Sequence, residues 1–316
     1  MDSIEKNIYD IVIIGGGPAG IEAALQADKL KLNYLLIEKS YVGALIRDTM
    51  AEKKFYHEYG RNTGKLKGDL DFPDRLKGGE LVALWQKQAD KLKVEAATVL
   101  SIEKRDDLFT IRSTSKNYSA KRVILSSGTF ENTRKLNVPG EENNPNIFYK
   151  LDYYNDYSDK TIIVVGGGNS AVETAIYHGV QNKIILVIRK DHFAENVTDK
   201  NKTDVMAMVS EGKVELFWQS KIVSISENLA KIDKAGATSE FSFDYMFINA
   251  GYEKPLEFLK QAGIEIEETI GGGKPKFNDK FETNVQNLYI AGSLTGADSV
   301  IESANQGYDI VHAIVG

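Results

Sequence analysis

Short apolar runs that end in glycine clusters set the pattern of this chain. Residues 11–14 (Ile-Val-Ile-Ile) and 161–165 (Thr-Ile-Ile-Val-Val) are too short for helices, and each runs directly into consecutive glycines. Continuous apolar runs of this length are typical of parallel strands that are buried on both faces. Helix-forming stretches follow at 21–30 and at 172–178. The pattern therefore predicts a strand–turn–helix unit that occurs twice.

The remaining predicted elements extend these two units and follow from the same reading of periodicity and turn residues. They are strands at 34–37, 94–102, 108–113, 121–125, 183–188, 243–249 and 288–291, helices at 79–93 and 300–314, and loops at 39–45 and 50–77. The three short strands between 94 and 125 are separated by polar turns, so we interpret them as a β-meander that interrupts a doubly wound sheet.

Both glycine clusters have the spacing of a dinucleotide-binding turn. In the G-x-G-x-x-G pattern of Gly15, Gly17 and Gly20, the first glycine allows a tight turn and the second admits a pyrophosphate. The third lets helix and strand pack closely. A second turn, Gly166 to Ala171, begins 151 residues later. Phosphate binds such turns at the positive N-terminal end of the following helix, so the chain is predicted to bind two dinucleotides.

The end of the second strand carries opposite charge in the two copies. Glu38 lies 23 residues after Gly15, where a carboxylate can accept hydrogen bonds from the hydroxyls of an adenosine ribose. Arg189 lies the same 23 residues after Gly166, and together with Lys190 it would attract a 2′-phosphate. We therefore predict FAD in the first fold and NADPH in the second. The alternative for Arg189 and Lys190 is a pair of solvated charges at a strand end.

Composition narrows the class of protein. A chain of 316 residues with 42% hydrophobic and 27% charged residues is typical of a globular protein of about two domains. Its net charge of −6 gives no support to nonspecific nucleic-acid binding. The acidic, polar N-terminus is not a secretory signal, and no apolar run approaches the roughly 20 residues of a membrane span. A cytoplasmic protein without nucleic-acid or membrane partners is expected.

The chain contains no cysteine, which excludes disulfides, thiolate metal ligands and a redox dithiol. Its histidines show no metal-ligand spacing, and we interpret them as surface or core residues; they are His57, His178, His192 and His312. Neither a metal site nor a catalytic side chain is predicted.

Several motifs occur in the order in which one family has them. They are G-G-G-P-A-G from Gly15, Glu38, S-S-G from Ser126, V-P-G-E from Val138, G-G-G-N-S-A from Gly166, I-R-K-D-H-F from Ile188, N-A-G from Asn249 and A-G-S from Ala291. Over nearly its whole length the chain resembles the low-molecular-weight thioredoxin-reductase family of pyridine-nucleotide flavoproteins. The resemblance implies an α/β fold of two three-layered, Rossmann-like dinucleotide-binding domains with a β-meander. The FAD domain would be discontinuous, at 1–128 and 248–316, and the NADPH domain would span 129–247.

The resemblance also implies which residues contact the cofactors. For FAD they are Gly15, Gly17, Pro18, Ala19, Gly20, Glu38, Lys39, Gly43, Val99, Ser127, Gly128, Gly292, Ser293, Val300 and Ile301. For NADPH they are Gly166, Gly168, Asn169, Ser170, Ala171, Arg189, Lys190, Ala250 and Gly251. Ser127-Gly128 and Ala250-Gly251 would lie near the two crossings between the domains.

Four departures from the family pattern limit the expected chemistry. Residues 150–155 stand where the family has its C-x-x-C dithiol, and Ala19 stands where the bacillithiol-disulfide-reductase branch has a cysteine. Ser293 replaces a carboxylate that binds the ribityl chain, which predicts weaker FAD binding because a hydroxyl makes no charge-assisted hydrogen bond. Ala194 replaces a third basic residue of the NADPH motif.

The implied function is that of an NADPH-dependent FAD oxidoreductase that passes electrons to a flavodoxin, a ferredoxin or a quinone. Cysteine-free members of the family resemble such reductases, and the segments F-Y-H-E-Y-G from Phe55 and L-K-G from Leu66 look most like the flavodoxin/quinone branch. A homodimer is expected. The alternative is a flavin- or NADPH-occupied redox sensor without turnover of its own. A flavin monooxygenase ranks third, because no extra helical domain is predicted between the folds.

Six basic residues lie close together in the sequence, and they could steer an acidic carrier protein or form an ordinary solvated face. They are Lys53, Lys54, Lys65, Lys67, Arg75 and Lys77.

Overall fold

The computed structural model describes residues 8–57, 64–129, 132–151, 157–195, 197–269 and 273–316. The chain folds into two compact units. Unit 1 consists of Met1–Phe130 and Lys254–Gly316, and unit 2 consists of Glu131–Glu253.

The strands are β1 Ile8–Tyr9, β2 Ile11–Ile14, β3 Tyr34–Glu38, β4 Val94–Ala96, β5 Val99–Arg105, β6 Leu108–Ser113, β7 Asn117–Ala120, β8 Val123–Leu125, β9 Asn132–Thr133, β10 Ile147–Phe148, β11 Thr161–Val165, β12 Lys183–Val187, β13 Val214–Phe217, β14 Ser220–Ser226, β15 Leu229–Lys234, β16 Ala237–Ser242, β17 Tyr245–Ile248, β18 Tyr252–Glu253, β19 Ile266–Glu267, β20 Lys274–Pro275 and β21 Leu288–Ile290. The helices are α1 Pro18–Lys29, α2 Ala44–Met50, α3 Gly78–Ala89, α4 Asn169–His178, α5 Asp199–Ser210, α6 Leu256–Gln261 and α7 Val300–Val315, and a 3₁₀ turn spans Gly292–Leu294.

Unit 1 has three layers that follow from the alternation of side chains along β2. The parallel sheet has the strand order β21-β8-β2-β3-β4. Ile11 and Ile13 pack in a core cluster with residues of α1 and α7. Val12 and Ile14 pack in a second cluster with the sheet β1-β7-β6-β5, which is antiparallel except that β1 runs parallel to β7. Because successive strand residues point to opposite faces, one continuous apolar run can serve both layers.

Unit 2 repeats this arrangement. Its parallel sheet has the order β10-β17-β11-β12-β13, with β11 at the centre. Ile162 and Val164 pack in the cluster that contains residues of α4, and Ile163 and Val165 pack in the cluster that contains the antiparallel sheet β14-β15-β16. The α/β class with two three-layered, Rossmann-like folds and a β-meander is confirmed.

One predicted strand proves to be two strands in different sheets, and another is shorter than predicted. The stretch 94–102 consists of β4, at the edge of the parallel sheet, and β5, in the antiparallel one; the break lies where the Ala97 N–H donates to the carbonyl of Glu38 at 2.9 Å. In the stretch 121–125 only β8 is a strand, and it belongs to the parallel sheet. The third strand of the meander is β7, which ends at Ala120, so the prediction of 121–125 as a meander strand was wrong. The strand predicted at 243–249 is β17. It pairs with neighbours on both sides within unit 2, so the whole strand lies in unit 2, beyond the predicted domain boundary of 247/248.

The helices α1, α3, α4 and α7 lie where the sequence predicted them, with ends that differ by up to four residues. The helix α2 overlaps a predicted loop. The sequence pattern gave no prediction for α5 and the sheet β14-β15-β16. Among the described residues, none of the helices is long and apolar enough to cross a membrane.

Candidate functional site

The glycine turn of unit 1 needs two of its glycines for the fold and leaves the third free. Gly15 has φ +108°, and a Cβ there would lie 2.4 Å from the carbonyl oxygen of Ser126. A Cβ on Gly20 would lie 1.9 Å from the carbonyl oxygen of Gly15. Gly17 has an ordinary φ of −82°, and a Cβ there would meet no atom within 4 Å. The space in front of Gly17 is therefore open, as a pyrophosphate site requires.

The start of α1 faces the same opening. No side chain caps α1, and Pro18 occupies its first turn. A helix leaves its first N–H groups without intrahelical partners, so this end can receive an anion. The Ala19 side chain lies 3.6 Å from the position of a Cβ on Gly292, in the 3₁₀ turn. The side-chain oxygen of the buried Gln306 accepts the Gly292 N–H at 2.8 Å and holds that turn beside α1.

The end of β8 brings three further predicted residues to this edge. Ser127 Oγ is buried and has no hydrogen-bond partner among the described residues. Gly128 has φ +77°, and a Cβ there would lie 3.5 Å from Ser293 Oγ. Ser293 Oγ accepts the N–H of Thr129 at 3.0 Å. The C-terminal A-G-S motif and the S-S-G motif therefore meet at the carboxyl end of the parallel strands.

The Glu38 carboxylate is fixed against the glycine turn. Its Oε2 accepts the N–H of Gly16 at 2.6 Å, and its Oε1 accepts the N–H of Ser40 at 3.0 Å. Gly43 donates its own N–H to the carbonyl of Gly16 at 2.9 Å, so this loop is also tied to the turn. Each carboxylate oxygen has a further lone pair for an outside donor. Lys39, next to Glu38, is exposed.

Three of the predicted FAD residues have side chains that serve the core. Val99 opens β5 in the antiparallel sheet and packs against the second core cluster of unit 1. Val300 and Ile301, in the first turn of α7, are buried in the cluster that contains Ala19. Because these two side chains are mostly buried, a contact with a ligand would fall mainly to the backbone at the start of α7.

The turn of unit 2 repeats the geometry of the first. Gly166 has φ +142°, and a Cβ there would lie 2.4 Å from the carbonyl oxygen of Asn249. Gly168 caps α4 without a side-chain hydrogen bond, Ser170 is exposed and Ala171 is fully buried. The second helix start is therefore as open to an anion as the first.

The Asn169 side chain already has partners within the protein. Its Oδ1 accepts from Asn201 Nδ2 at 2.9 Å, and its Nδ2 donates to Glu173 Oε1 at 2.7 Å. Asn169 therefore fixes α5 to α4, and its part in a nucleotide site falls to its backbone.

Arg189 and Lys190 are exposed, and neither forms an ion pair within the part of the chain that the structure describes. The loop that follows them returns to the glycine turn, because the Ala194 N–H donates to the carbonyl of Gly167 at 2.8 Å. In the same loop, a hydrogen bond from His192 lowers the pKa of the Asp191 carboxyl. Two exposed cations that form no ion pair with a described residue therefore lie just after β12.

The residues after β17 complete the edge of unit 2. Gly251 has φ +93°, its Cβ position is open, and its carbonyl accepts the N–H of Arg134 at 2.9 Å. Ala250, beside it, is partly exposed. Asn249 Oδ1 is buried and lacks a hydrogen-bond partner among the described residues. Asn249 belongs to the N-A-G motif, but the sequence could not show that its Oδ1 lacks a hydrogen-bond partner, because this depends on the elements that surround it in the fold.

The V-P-G-E motif proves to be structural. The buried Glu141 carboxylate accepts the N–H groups of Leu136 at 2.9 Å and Asn137 at 2.6 Å, and it also accepts the Tyr149 hydroxyl at 2.9 Å. Burial and this carboxylate raise the pKa of Tyr149 to about 12. A Cβ on Gly140 would lie 1.7 Å from the carbonyl of Ile225, so the motif packs a loop tightly against β14.

A second buried carboxylate, that of Glu22, holds part of the predicted loop 50–77 in unit 1. Glu22, on α1, is fully buried and accepts the N–H groups of Asp69 and Leu70. Burial raises its pKa, and the hydrogen bonds to Asp69, Gln26 and Leu70 oppose this shift. Glu22 thus fixes residues 69–70 over α1.

The six clustered basic residues separate into two groups. Lys54 and Lys77 face each other across an isolated antiparallel bridge, while Lys67 lies with α7, where it pairs with Asp309 at 2.6 Å. Lys77 also pairs with Glu52 at 2.5 Å, and Arg75 with Asp74 at 3.3 Å. Acids of the chain itself therefore pair with at least three of the six. The segments F-Y-H-E-Y-G and 150–155 lie partly outside the described residues, at 58–60 and 152–155.

Both turns fit a bound dinucleotide. Each has an uncapped helix start, and each has an unpartnered buried polar atom at the end of a neighbouring strand, Ser127 Oγ in unit 1 and Asn249 Oδ1 in unit 2. Buried polar groups without partners are rare, and a ligand that supplies the missing hydrogen bond accounts for both.

Comparisons with known proteins agree with this geometry. The family described as "Pyridine nucleotide-disulphide oxidoreductase" matches residues 12–292. A 34.2 kDa protein in the rubredoxin operon of Clostridium pasteurianum is 30% identical, over 92% of this chain and 90% of that protein. A ferredoxin–NADP reductase of Streptococcus sanguinis is 28% identical, over 94% of this chain and 89% of that protein.

Among solved structures, the bacillithiol disulfide reductase of Staphylococcus aureus has a TM-score of 0.87, with 24% identity, 97% of this chain and 98% of that chain covered. This likeness supports the fold. The resemblance seen in the motifs is thereby confirmed, and the cysteine-free sequence agrees with a member that lacks the C-x-x-C dithiol. The chain belongs to the pyridine nucleotide-disulphide oxidoreductase family, and it is a thioredoxin-reductase-like, NAD(P)H-dependent flavoprotein oxidoreductase with FAD and NADPH as its cofactors.

Proposed function

We propose that unit 1 binds FAD, that unit 2 binds NADPH, and that electrons leave the flavin for an external acceptor without passing through a protein disulfide. One observation carries the proposal. Two glycine turns of the same construction end in opposite charges, Glu38 and Arg189-Lys190, in a chain that has no cysteine. The opposite charges at equivalent places support FAD in unit 1 and NADPH in unit 2. The absence of cysteine supports electron transfer from the flavin to an external acceptor.

In unit 1 the residues bind and orient. The open space at Gly17 and the free start of α1 would hold the pyrophosphate, and Glu38 would accept the hydroxyls of the adenosine ribose. Ser293 would lie at the ribityl chain; its Oγ already accepts an N–H, so its own proton is available to donate.

In unit 2 the residues select the nucleotide. The start of α4 would hold the pyrophosphate, and Arg189 with Lys190 would pair with the 2′-phosphate. An unphosphorylated ribose would find no acceptor from these two side chains, so NADH should bind less well.

FAD, when bound, supplies the chemistry, because it can take electrons from NADPH and release them to a carrier. No side chain of the chain is assigned a catalytic role. The acceptor is proposed to be a small electron-carrier protein, a ferredoxin or flavodoxin, with a quinone as the small-molecule counterpart. The names of the ferredoxin–NADP reductase and of the rubredoxin-operon protein support a carrier. The expected homodimer stays a prediction.

The test is anaerobic stopped-flow reduction of the FAD-reconstituted protein, followed by an acceptor screen. We expect NADPH to bleach the flavin spectrum faster than NADH does. We then expect repeated turnover with ferredoxin, flavodoxin or a soluble quinone, and none with thioredoxin. The Gly17→Val variant, which should lack FAD, is the control for background reduction.

Two results would contradict the proposal in different ways. A protein that shows no flavin spectrum with excess FAD would refute the assignment of unit 1. A flavin that NADPH reduces but that none of these acceptors reoxidises would favour a redox sensor over an enzyme with turnover of its own.

A further inference from the structure

The two units can be compared residue by residue beside their glycine turns. In unit 1, β8 pairs with β2 in parallel up to the last residue of each strand, and in unit 2, β17 pairs with β11 in the same way. The next residues, Ser126 and Asn249, therefore hold equivalent places. Each lies directly against the first glycine of its turn, Gly15 and Gly166.

The side chains of Ser126 and Asn249 differ in whether they have hydrogen-bond partners. Ser126 Oγ lies 3.0 Å from the carbonyl oxygen of Ile14 and 2.9 Å from that of Gly15, so its hydroxyl serves the fold. Asn249 Oδ1 is also buried, but it has no partner among the described residues. A buried acceptor without a donor is costly to the protein alone. The unpaired Asn249 Oδ1 therefore costs the ligand-free protein free energy, whereas the hydrogen-bonded Ser126 Oγ does not.

The position of Asn249 indicates which half of a nucleotide could donate a hydrogen bond to its Oδ1. In the order β10-β17-β11-β12-β13, β17 and β12 lie on opposite sides of β11. Arg189 and Lys190 follow β12, so the adenosine half belongs on that side of the glycine turn. A dinucleotide crosses the carboxyl edge at this point, and its other half then lies on the β17 side. The nicotinamide half carries suitable donors in its ribose hydroxyls and its carboxamide NH₂.

We propose that Asn249 Oδ1 accepts a hydrogen bond from the nicotinamide half of NADPH and positions that half, which deepens the proposed function and rests on it. Asn249 thereby becomes a binding residue for the nicotinamide side, separate from the charges that select the 2′-phosphate.

The experiment compares two ligands on the FAD-loaded protein by isothermal titration calorimetry. NADP⁺ contains both halves of the nucleotide, and adenosine 2′,5′-bisphosphate contains only the adenosine half. For Asn249→Leu we expect the Kd of NADP⁺ to rise on the order of tenfold, which corresponds to the loss of one buried hydrogen bond. The Kd of adenosine 2′,5′-bisphosphate should stay within about twofold of the wild type.

Asn182→Leu is the matched control. Asn182 precedes β12 at the opposite end of the sheet, and both ends of its amide have partners: Oδ1 accepts the Lys160 N–H at 2.9 Å and Nδ2 donates to the His178 carbonyl at 2.8 Å. We expect this variant to lower the Tm of the nucleotide-free protein and to leave both Kd values unchanged. Asn249→Leu should not lower that Tm, because it removes an acceptor that has no partner.

The outcomes separate this proposal from the proposed function. If wild-type protein binds neither ligand, the NADPH site in unit 2 fails, and this inference fails with it. If wild type binds both, an unchanged NADP⁺ affinity in Asn249→Leu overturns this inference alone. An equal loss for both ligands does so too, since it would indicate a general effect on the site. Asn249→Ala, measured in parallel, carries the same expectations should the leucine variant not fold.

Discussion

Glu38 is the last residue of β3 and Arg189 follows β12, each 23 residues after the first glycine of its turn, and their side chains have opposite surroundings. The Glu38 carboxylate is held by the N–H groups of Gly16 and Ser40. The Arg189 guanidinium is exposed and forms no ion pair with any described residue. Glu38 is thus oriented before a ligand binds, whereas the charges of Arg189 and Lys190 are available to pair with an anionic ligand.

This difference fits the two cofactors. A ribose offers uncharged hydroxyl groups, and their O–H donors gain most from an acceptor that is already fixed in place, because less side-chain freedom is lost on binding. A 2′-phosphate carries charge, and even a mobile Arg or Lys is attracted to it. We therefore expect Glu38 to act as a pre-oriented acceptor and Arg189 with Lys190 to act as an electrostatic clamp on the 2′-phosphate.

The largest effect is expected at Gly17. Gly17→Val should abolish FAD binding, because its side chain would project into the space of the pyrophosphate, while the free protein should keep its stability since a Cβ there meets no atom within 4 Å. Gly15→Ala is the matched contrast: its Cβ would lie 2.4 Å from a backbone oxygen at φ +108°, so it should destabilise the fold by more than about 1 kcal/mol. FAD titration and thermal unfolding measure the two effects. If Gly17→Val keeps its affinity for FAD, the pyrophosphate does not bind at this turn.

The two turns could be predicted from sequence because their determinants are local. Glycine spacing, the buried strand before it and the charge at the next strand end all lie within about one strand–helix–strand unit. The α/β class follows from them, and the apolar run at 11–14 served both layers as its composition indicated.

Other features depend on residues that are far apart in sequence. The stretch 94–102 has one strand-like composition, yet it passes from the parallel sheet to the antiparallel one, because its partners are β3 on one side and β6 on the other. The need for glycine at Gly43 arises from Val82 and Trp85, on α3. The missing partner of Asn249 likewise becomes visible only when β17 lies beside β11.

The second prediction reverses the charge of the clamp. In wild type, NADPH should be preferred over NADH by about ten- to a hundredfold in kcat/KM, from hydrogen bonds to a charged group of about 1.5–3 kcal/mol each. Ala194 in place of a third basic residue argues for the lower end of this range. Arg189→Glu with Lys190→Ala should raise KM for NADPH steeply and improve NADH modestly, measured with one fixed soluble quinone.

Lys183→Glu is the control for this charge change. Lys183 begins β12, the strand whose other end precedes Arg189, so its reversal alters the charge of the same strand far from the clamp. It should leave the nucleotide preference unchanged. Equal efficiency of NADH and NADPH in wild type would show that Arg189 and Lys190 are solvated charges rather than a clamp.

The third prediction concerns Ser293, which stands where the family has a carboxylate that binds the ribityl chain of FAD. Ser293→Asp should tighten FAD by about tenfold, because a carboxylate restores a charged acceptor at the A-G-S turn, where Oγ now accepts the Thr129 N–H at 3.0 Å. Ser293→Ala should loosen FAD slightly. Fluorescence titration of FAD into the cofactor-free variants measures both. If Ser293→Asp leaves the Kd as it is, Ser293 does not lie at the ribityl chain.

The smallest expected effect is none, and it tests whether either turn takes part in thiol chemistry. The first turn has Ala19 where the bacillithiol-disulfide-reductase branch has a cysteine, and the whole chain of 316 residues has no thiol. Thiol-alkylating agents should therefore leave NADPH-dependent reduction of a quinone unchanged, and NADPH-dependent reduction of thioredoxin should be undetectable, because a thiolate is the nucleophile of disulfide exchange. A dithiol-containing thioredoxin reductase, treated and assayed in parallel, should lose its activity toward thioredoxin and so shows that the reagent acted. Sustained thioredoxin reduction by this chain alone would mean that the flavin reduces a disulfide directly, and the external electron carrier would then no longer be needed as the acceptor.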